Sequence, residues 1–294
     1  MTSMRIGFIG AGKVGCTLGK YFAEGGIEVT GYYSRTFASA REAAAFTGTK
    51  AYDEPAALIE DSDALFLTVP DRMITPVYEG LRQYGLAGRM LCHCSGAMTA
   101  REAFPRIEET GASGYSIHPL FPVSSKDESY RVLEGAFFCV EGEDAHLSEW
   151  KTLLESLRLR VQIIPADAKV RYHAACAIAS NLYCALVQTS VELLEECGFT
   201  RSLALEALAP LMRSNLERIL QVGPQDALTG PVERNDAGTV KKHVACIPAG
   251  KEQALYCAAS EKLVEMANRR HPEEDYSALL DGLKGGTDPW PKTQ

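Results

Sequence analysis

Gly10-Ala11-Gly12-Lys13-Val14-Gly15 spells G-x-G-x-x-G between an apolar strand pattern and a helix pattern. In that setting the first glycine permits a tight turn, and the second lets backbone approach a diphosphate. The third allows close packing of helix on strand. The free N–H groups at the helix start attract an anion, and Lys13 and Val14 complete the turn. The next strand closes as Tyr32-Tyr33-Ser34-Arg35-Thr36. It lacks the carboxylate that would accept a hydrogen bond from a ribose 2′-hydroxyl. Ser34 and Thr36 offer hydroxyls, and Arg35 offers a planar cation suited to a 2′-phosphate, which favours NADP over NAD. A solvated Arg in a polar loop is the plainer alternative.

Other groups could act on a molecule held beside that turn. Val69-Pro70-Asp71 follows a buried strand and would border the nicotinamide-side ribose, although Pro and Asp also start turns for their own reasons. Ser95, after the next strand, is placed for a polar contact. His118, followed by Pro119, is a candidate proton-transfer group, or else a histidine that merely caps a strand. At about 100° per residue, Lys169, His173, Cys176 and Ser180 lie nearly in line along one helix, with Asn181 beside them. A Lys on an apolar helix can act as general acid or base, and the alternative is a solvent-facing stripe. Arg234, in the loop Thr229 to Thr239, could clamp an anionic substrate, with Asp236 as the N-cap of the helix that follows. Cys92-His93-Cys94 looks metal-like, but strand alternation sends His93 to the opposite face, so packing is the expected role and no metal is assigned.

The elements that must position these groups read as an alternation of strands and helices over residues 1–165. Strands are expected at Arg5-Ile9, Glu28-Tyr33, Ala64-Val69, Met90-His93, Gly114-Ile117, Ala136-Val140 and Val161-Ile164, with a further short strand and short helix between Ala51 and Ile59. Helices are expected at Val14-Glu24, Ala38-Phe46 and Asp144-Leu157. That is a doubly wound α/β sheet of Rossmann type. Residues 166–294 carry only helical patterns: one long helix from Asp167 to Cys197, a helix capped by Thr200 with a kink at Pro210, and helices at Asp236-Ala245, Lys251-Asn268 and Asp275-Gly282. Gly223-Pro224 and Gly230-Pro231 mark a loop region. The Gly285-Gln294 tail is expected to fray. The organisation is an α/β domain at 1–165 followed by an all-α domain at 166–294.

The chain has 294 residues, 46% hydrophobic and 23% charged, ordinary for a globular protein. Its 30 basic and 38 acidic residues leave a net charge of −8, which argues against nonspecific nucleic-acid binding. The longest uncharged apolar stretches fall short of a membrane span, so no membrane partner is expected. No signal-peptide pattern opens the sequence. Nine cysteines, an odd number scattered through apolar segments, point to reduced thiols and a cytoplasmic location.

Taken together, Gly10 to Gly15, His118-Pro119-Leu120, Tyr172-His173-Ala174-Ala175 with Ala179-Ser180-Asn181, and Thr229-Gly230-Pro231 through Arg234 and Asp236 resemble the Rossmann-like, DUF2520-domain family of predicted oxidoreductases. The resemblance spans nearly the whole chain. The family is similar in architecture to the 6-phosphogluconate dehydrogenase-like group, which includes pyrroline-5-carboxylate reductase, ketopantoate reductase and F420-dependent NADP oxidoreductase. That likeness implies an NADP-binding domain followed by a helical domain that builds a homodimer. Lys169 matches the Lys that hydroxyacid dehydrogenases of the group carry on their long helix, but His173 stands where their Asn would be. Ser95 and His118-Pro119 resemble the Ser and His-Pro of prephenate dehydrogenases. Asn235 replaces a Gly usual in the family.

The expected function is an NADP(H)-dependent oxidoreductase passing a hydride to or from a small polar, anionic carbonyl or imine compound in the interdomain cleft. Lys169 or His118 would move the proton, while His173, Asn181 and Ser95 orient the substrate. A non-catalytic NADP-binding sensor or interaction protein, or an F420-linked reductase, is the alternative.

Overall fold

The computed structural model describes residues 4–284. The chain divides into two compact units, Met1–Ile178 and Ala179–Gln294. The expected fraying of Gly285-Gln294 lies outside the described residues.

The first unit opens with β1 (Arg5–Ile9), α1 (Lys13–Glu24), β2 (Glu28–Tyr33), α2 (Phe37–Thr47), β3 (Lys50–Tyr52), α3 (Pro55–Asp61) and β4 (Ala64–Leu67). It continues with α4 (Asp71–Leu81), β5 (Met90–His93), the short α5 (Ala100–Ala103), β6 (Ser113–Pro119), β7 (Phe137–Gly142), α6 (Asp144–Ser156), β8 (Arg160–Ile163) and α7 (Lys169–Ala179). The eight strands form one sheet in the order β3-β2-β1-β4-β5-β6-β7-β8. All pairs are parallel except β6 with β7. Strand order reverses between β1 and β4, where open α/β sheets place their ligand crevice.

The sheet is covered on both faces, which accounts for the near-continuous apolar strands. On one face Phe8 stacks on Tyr32 and Phe66, and Phe66 meets Trp150 edge-on at 5.6 Å. The other core gathers Leu67, Tyr78, Leu91 and Phe104. Cys92 belongs to the first core, whereas its neighbour His93 meets Phe104 of the second edge-on, the alternation a strand requires.

The turn after β1 shows why glycine recurs there. Gly10 has φ +111°, and a Cβ on it would stand 2.7 Å from the Thr68 carbonyl oxygen. A Cβ on Gly15 would stand 2.4 Å from Thr68 Oγ1 and 2.6 Å from the Gly10 oxygen. Helix and strand therefore touch through bare backbone at both positions.

Several expected boundaries move. β4 ends at Leu67, so Thr68 and Val69 belong to the loop. β6 runs on through Pro119, so His118 is a strand residue paired with Cys139 rather than part of a loop. The single helix expected from Asp167 to Cys197 is broken. A short 3₁₀ turn precedes α7, and Ser180, at φ −121° and ψ −74°, separates α7 from α8 (Asn181–Glu196). Helical periodicity runs straight through such a break because one non-helical residue leaves the apolar spacing intact. Over 166–196 the chain is also long and apolar enough to cross a membrane by length and composition. This corrects the expectation that no stretch reaches that measure, since the uncharged polar residues interspersed there barely lower the average.

The second unit holds α8, α9 (Arg201–Ala227), α10 (Ala237–Cys246), α11 (Lys251–Arg270) and α12 (Ser277–Lys284). Thr200 caps α9 by accepting the Leu203 N–H, and Asp236 caps α10 by accepting the Thr239 N–H at 2.9 Å. α9 carries Pro210 without a non-helical residue; the interruption falls instead at Gly223, with φ +83°. Val240, Val264 and Leu279 form the core of α10 to α12. Asn235 has φ +54°, a left-handed conformation that Asn tolerates better than other non-glycine residues. It donates to Glu274 Oε2 and to the Asp275 carbonyl, so the departure from Gly keeps the loop and adds a tether.

Gly15→Ala should cost about 1–3 kcal/mol of stability, because neither the Thr68 side chain nor the Gly10 backbone has room to yield. Thermal unfolding reads this directly, and an unchanged Tm would mean that helix and strand do not meet as described.

Candidate functional site

Four loops or strand ends gather at the carboxyl side of the parallel strands: Gly10 after β1, Val69-Pro70-Asp71 after β4, Ser95-Gly96 after β5, and His118 near the end of β6. The N-terminus of α1 begins at Gly12, and no side chain caps it. Its first amide groups are therefore open to an anion. A Cβ on Gly12 would meet only the Thr68 carbonyl oxygen, at an ordinary 3.7 Å. Unlike Gly10 and Gly15, Gly12 is not demanded by packing within the protein. Lys13 is exposed at the first position of α1, with Val14 half-buried behind it. Ser34 is half-buried, and Arg35 and Thr36 are exposed at the end of β2. Thr36 is the N-cap residue of α2, and its hydroxyl meets Ser39 Oγ at 2.8 Å.

Asp71 starts α4 and accepts a 2.6 Å hydrogen bond from Ser95 Oγ, which in turn accepts the Met98 N–H. Ser95 is buried with both bonds made, so it anchors the post-β5 loop and holds the Asp71 carboxylate. The Ser95 N–H donates to His93 Nδ1 at 3.1 Å, and burial presses His93 down to about 3.

A second cluster stands on the β6–β7 face. Lys169, the first residue of α7, is fully buried, and its Nζ donates to Ser116 Oγ at 2.6 Å. Ser116 passes its own proton toward the Ser95 carbonyl oxygen at 3.3 Å. Directly across the strands, in register with Ser116, sits buried Glu141, whose Oε2 accepts the Ala100 N–H. Burial lowers the Lys169 pKa and raises that of Glu141, and the two charges partly offset each other.

One turn along α7, Tyr172 Oη lies 2.7 Å from His118 Nδ1. Burial raises the phenol's pKa. The His118 imidazole is pushed down to about 4, first by burial and then by the nearby Lys169 ammonium, so it is neutral at pH 7. His173 packs against the bare backbone of Gly96, where a Cβ would stand 2.2 Å from its Cδ2. Lys169, Tyr172 and His173 thus meet β6 and the loop after β5 from the first turns of α7, with Cys176 one turn further along. Ser180 sits at the helix break, and Asn181 and Arg234 belong to the second unit, where both are exposed.

Sequence reasoning missed Ser116, Glu141, Gly96 and the positioning of Tyr172. Glu141 had one available signal, a carboxylate within an otherwise apolar strand. The cavity of about 610 Å³ lined by Phe104, Arg106, Glu141 and Glu143 opens at the amino end of β6, away from the strand ends that carry the nucleotide-type turn.

Two family matches cover most of this chain. Residues 1–119 match the Rossmann-like domain, and residues 136–263 match the domain of unknown function DUF2520. The chain is a Rossmann-like and DUF2520 domain protein. Its structure is similar to a Thermotoga maritima protein that is 27% identical, with a TM-score of 0.73 over 90% of this chain and 99% of that one. A reductive aminase from Aspergillus terreus, solved with NADPH and ethyl-5-oxohexanoate, is 18% identical, with a TM-score of 0.60 over 95% and 99% of the two chains. An imine reductase from Streptomyces aurantiacus is 20% identical, with a TM-score of 0.58 over 94% and 98%. At these identities the last two likenesses carry the fold. No curated protein matches the chain. The DUF2520 match takes in Cys139, Glu141, Lys169, Tyr172 and His173, so the buried cluster lies largely within it.

His93 and His118 make stability pH-dependent. Each has a folded pKa below its unfolded value near 6.5, so the unfolded chain binds protons that the folded site refuses. Stability should therefore fall as pH drops from about 6.5 to about 4, then level off with respect to His118. His118→Gln should remove a share of that loss, on the order of 3 kcal/mol. Denaturant melts of both proteins at pH 7 and pH 4.5 check it; parallel losses would show that His118 stays as accessible to protons as a free imidazole.

Proposed function

We propose that this protein is an NADP(H)-dependent oxidoreductase acting on a small polar, anionic carbonyl or imine compound. The observation that carries the reading is the uncapped start of α1, reached through a glycine whose Cβ space no protein atom fills. Gly10, Gly12, Lys13, Val14 and Gly15 would hold the diphosphate through backbone amides. Ser34, Arg35 and Thr36, at an exposed strand end beside the start of α2, fit a 2′-phosphate. Val69, Pro70 and the Ser95-anchored Asp71 would border the nicotinamide-side ribose. The structures solved with NADPH among the fold's relatives support the same cofactor.

When bound, the dinucleotide supplies a hydride at nicotinamide C4. The chain's own residues supply the rest. His118 is the proton-transfer group at the substrate, neutral and half-exposed. Lys169 serves as a fixed cation behind it, since its buried ammonium spends a hydrogen bond on Ser116. His173 orients the substrate, and Asn181 and Arg234 are proposed as further substrate-contacting residues. The nine free cysteines support a reducing, cytoplasmic setting. The exposed apolar residues of α8 and α9, among them Leu182, Leu186, Leu211 and Leu220, support a homodimer formed through the helical unit.

NADPH should raise the Tm more than NADH does, because a ligand that binds only the folded state stabilises it by mass action. Arg35→Ala should erase that difference, and Gly12→Ala should weaken both shifts without lowering the Tm of the free protein. Equal shifts for the two cofactors in the parent protein would remove the 2′-phosphate assignment. Lys169→Met should lower the Tm, since it leaves the buried Glu141 carboxylate without its opposite charge, and should cut turnover at least tenfold. Full turnover in that variant would exclude Lys169 from the mechanism.

A further inference from the structure

We propose that His118 and His173 form a two-donor seat for one substrate oxygen, so that the compound reduced is a carbonyl and not an imine. This rests on the reductase reading above and decides the choice that reading leaves open. The point where a Cβ would stand on Gly96 lies 2.8 Å from His173 Nε2 and 3.0 Å from His118 Nε2. Both nitrogens therefore lie beside the same bare face of Gly96, no farther apart than about 6 Å, within reach of one acceptor placed beside them. Their rings are nearly perpendicular, at 82° with centroids 6.0 Å apart, so the two N–H vectors can approach one acceptor from different directions.

For His118 to donate there, its proton must sit on Nε2. Tyr172 arranges this. The 2.7 Å separation between Tyr172 Oη and His118 Nδ1 suits a hydroxyl donor. The proposal has Tyr172 donate to Nδ1, which puts the ring proton on Nε2. A carbonyl oxygen has two lone pairs and accepts both donors. An imine nitrogen has one lone pair and a protonated iminium has none, so either would leave a half-buried N–H unpaired.

The Lys169 ammonium stands 5.6 Å from the centre of the Tyr172 ring and favours a developing alkoxide. Asp71 and Glu141, bonded to Ser95 and to the Ala100 N–H, keep their negative charge, so the lone-pair count carries the choice of oxygen.

In the reaction, the carbonyl carbon gains the hydride supplied by the reduced dinucleotide, and the C=O π pair moves to oxygen. That oxygen takes the His118 Nε2 proton, Nδ1 takes the Tyr172 proton, and solvent reprotonates the phenolate. One carbonyl becomes one alcohol as the dinucleotide is oxidised.

The tautomers can be read without turnover, by ¹⁵N NMR of histidine-labelled full-length protein at pH 7. The expected result is Nε2–H on both His118 and His173, with Tyr172→Phe shifting His118 toward the other tautomer and leaving His173 unchanged. A bare Nε2 on either ring of the parent protein overturns the proposal. With NADPH, a panel of ketones and 2-oxo acids should be reduced faster than cyclic imines such as 1-pyrroline, and His173→Gln should lose at least tenfold on the carbonyl compounds. Faster reduction of the imines overturns it as well. NADPH binding, followed by cofactor fluorescence, tests the reductase reading separately: a protein that fails to bind NADPH loses that reading, whatever the histidine tautomers prove to be.

Discussion

An ammonium shut away from water must be held by its surroundings, and much of the candidate site follows from how Lys169 is held. Moving such a charge out of water costs several kcal/mol, which only close partners offset. Ser116 gives the 2.6 Å acceptor, and Glu141, in register on the neighbouring strand, gives the opposite charge. This pair of strands fixes where α7 begins. Helical spacing then carries Tyr172 to His118 and His173 to Gly96. Burial first and this cation second keep His118 neutral, so the ammonium contributes to both the geometry and the protonation state of the half-buried imidazole.

The sheet brings this cluster to the nucleotide-type turn by a simple route. β1, β4, β5 and β6 are parallel, so the loops or residues at their carboxyl ends meet along one edge. Ser95 couples the two halves of that edge. Its hydroxyl holds Asp71 after β4, its carbonyl receives the Ser116 proton, and its amide rests on His93. The antiparallel β7 then brings Glu141 beneath Lys169 from the opposite direction, which a wholly parallel sheet would not do at this point in the chain.

The likeness to an imine reductase and to a reductive aminase solved with NADPH is one of fold at 18–20% identity. A shared fold places a nucleotide turn and a long helix, but the groups on that helix decide the chemistry. Here α7 carries an imidazole, a phenol and a buried ammonium, and β6 adds a second imidazole.

Part of this was legible in the residues alone. Gly10, Gly12 and Gly15 between apolar strand and helix announce the turn, because φ freedom and the lack of a Cβ are local properties. The alternation of strands and helices, the caps at Thr200 and Asp236, and the approach of Lys169 and His173 to one line are likewise local. The break at Ser180 was hidden, since periodicity survives a single non-helical residue. That Lys169 is buried, that Ser95 is committed to Asp71, and that Ser116 and Glu141 face it depended on which strands become neighbours. Strand pairing joins residues 25 positions apart in β6 and β7, and side-chain patterns carry no record of that distance. Local stereochemistry therefore determined the elements and the nucleotide turn, while long-range pairing alone decided which polar groups share a desolvated space.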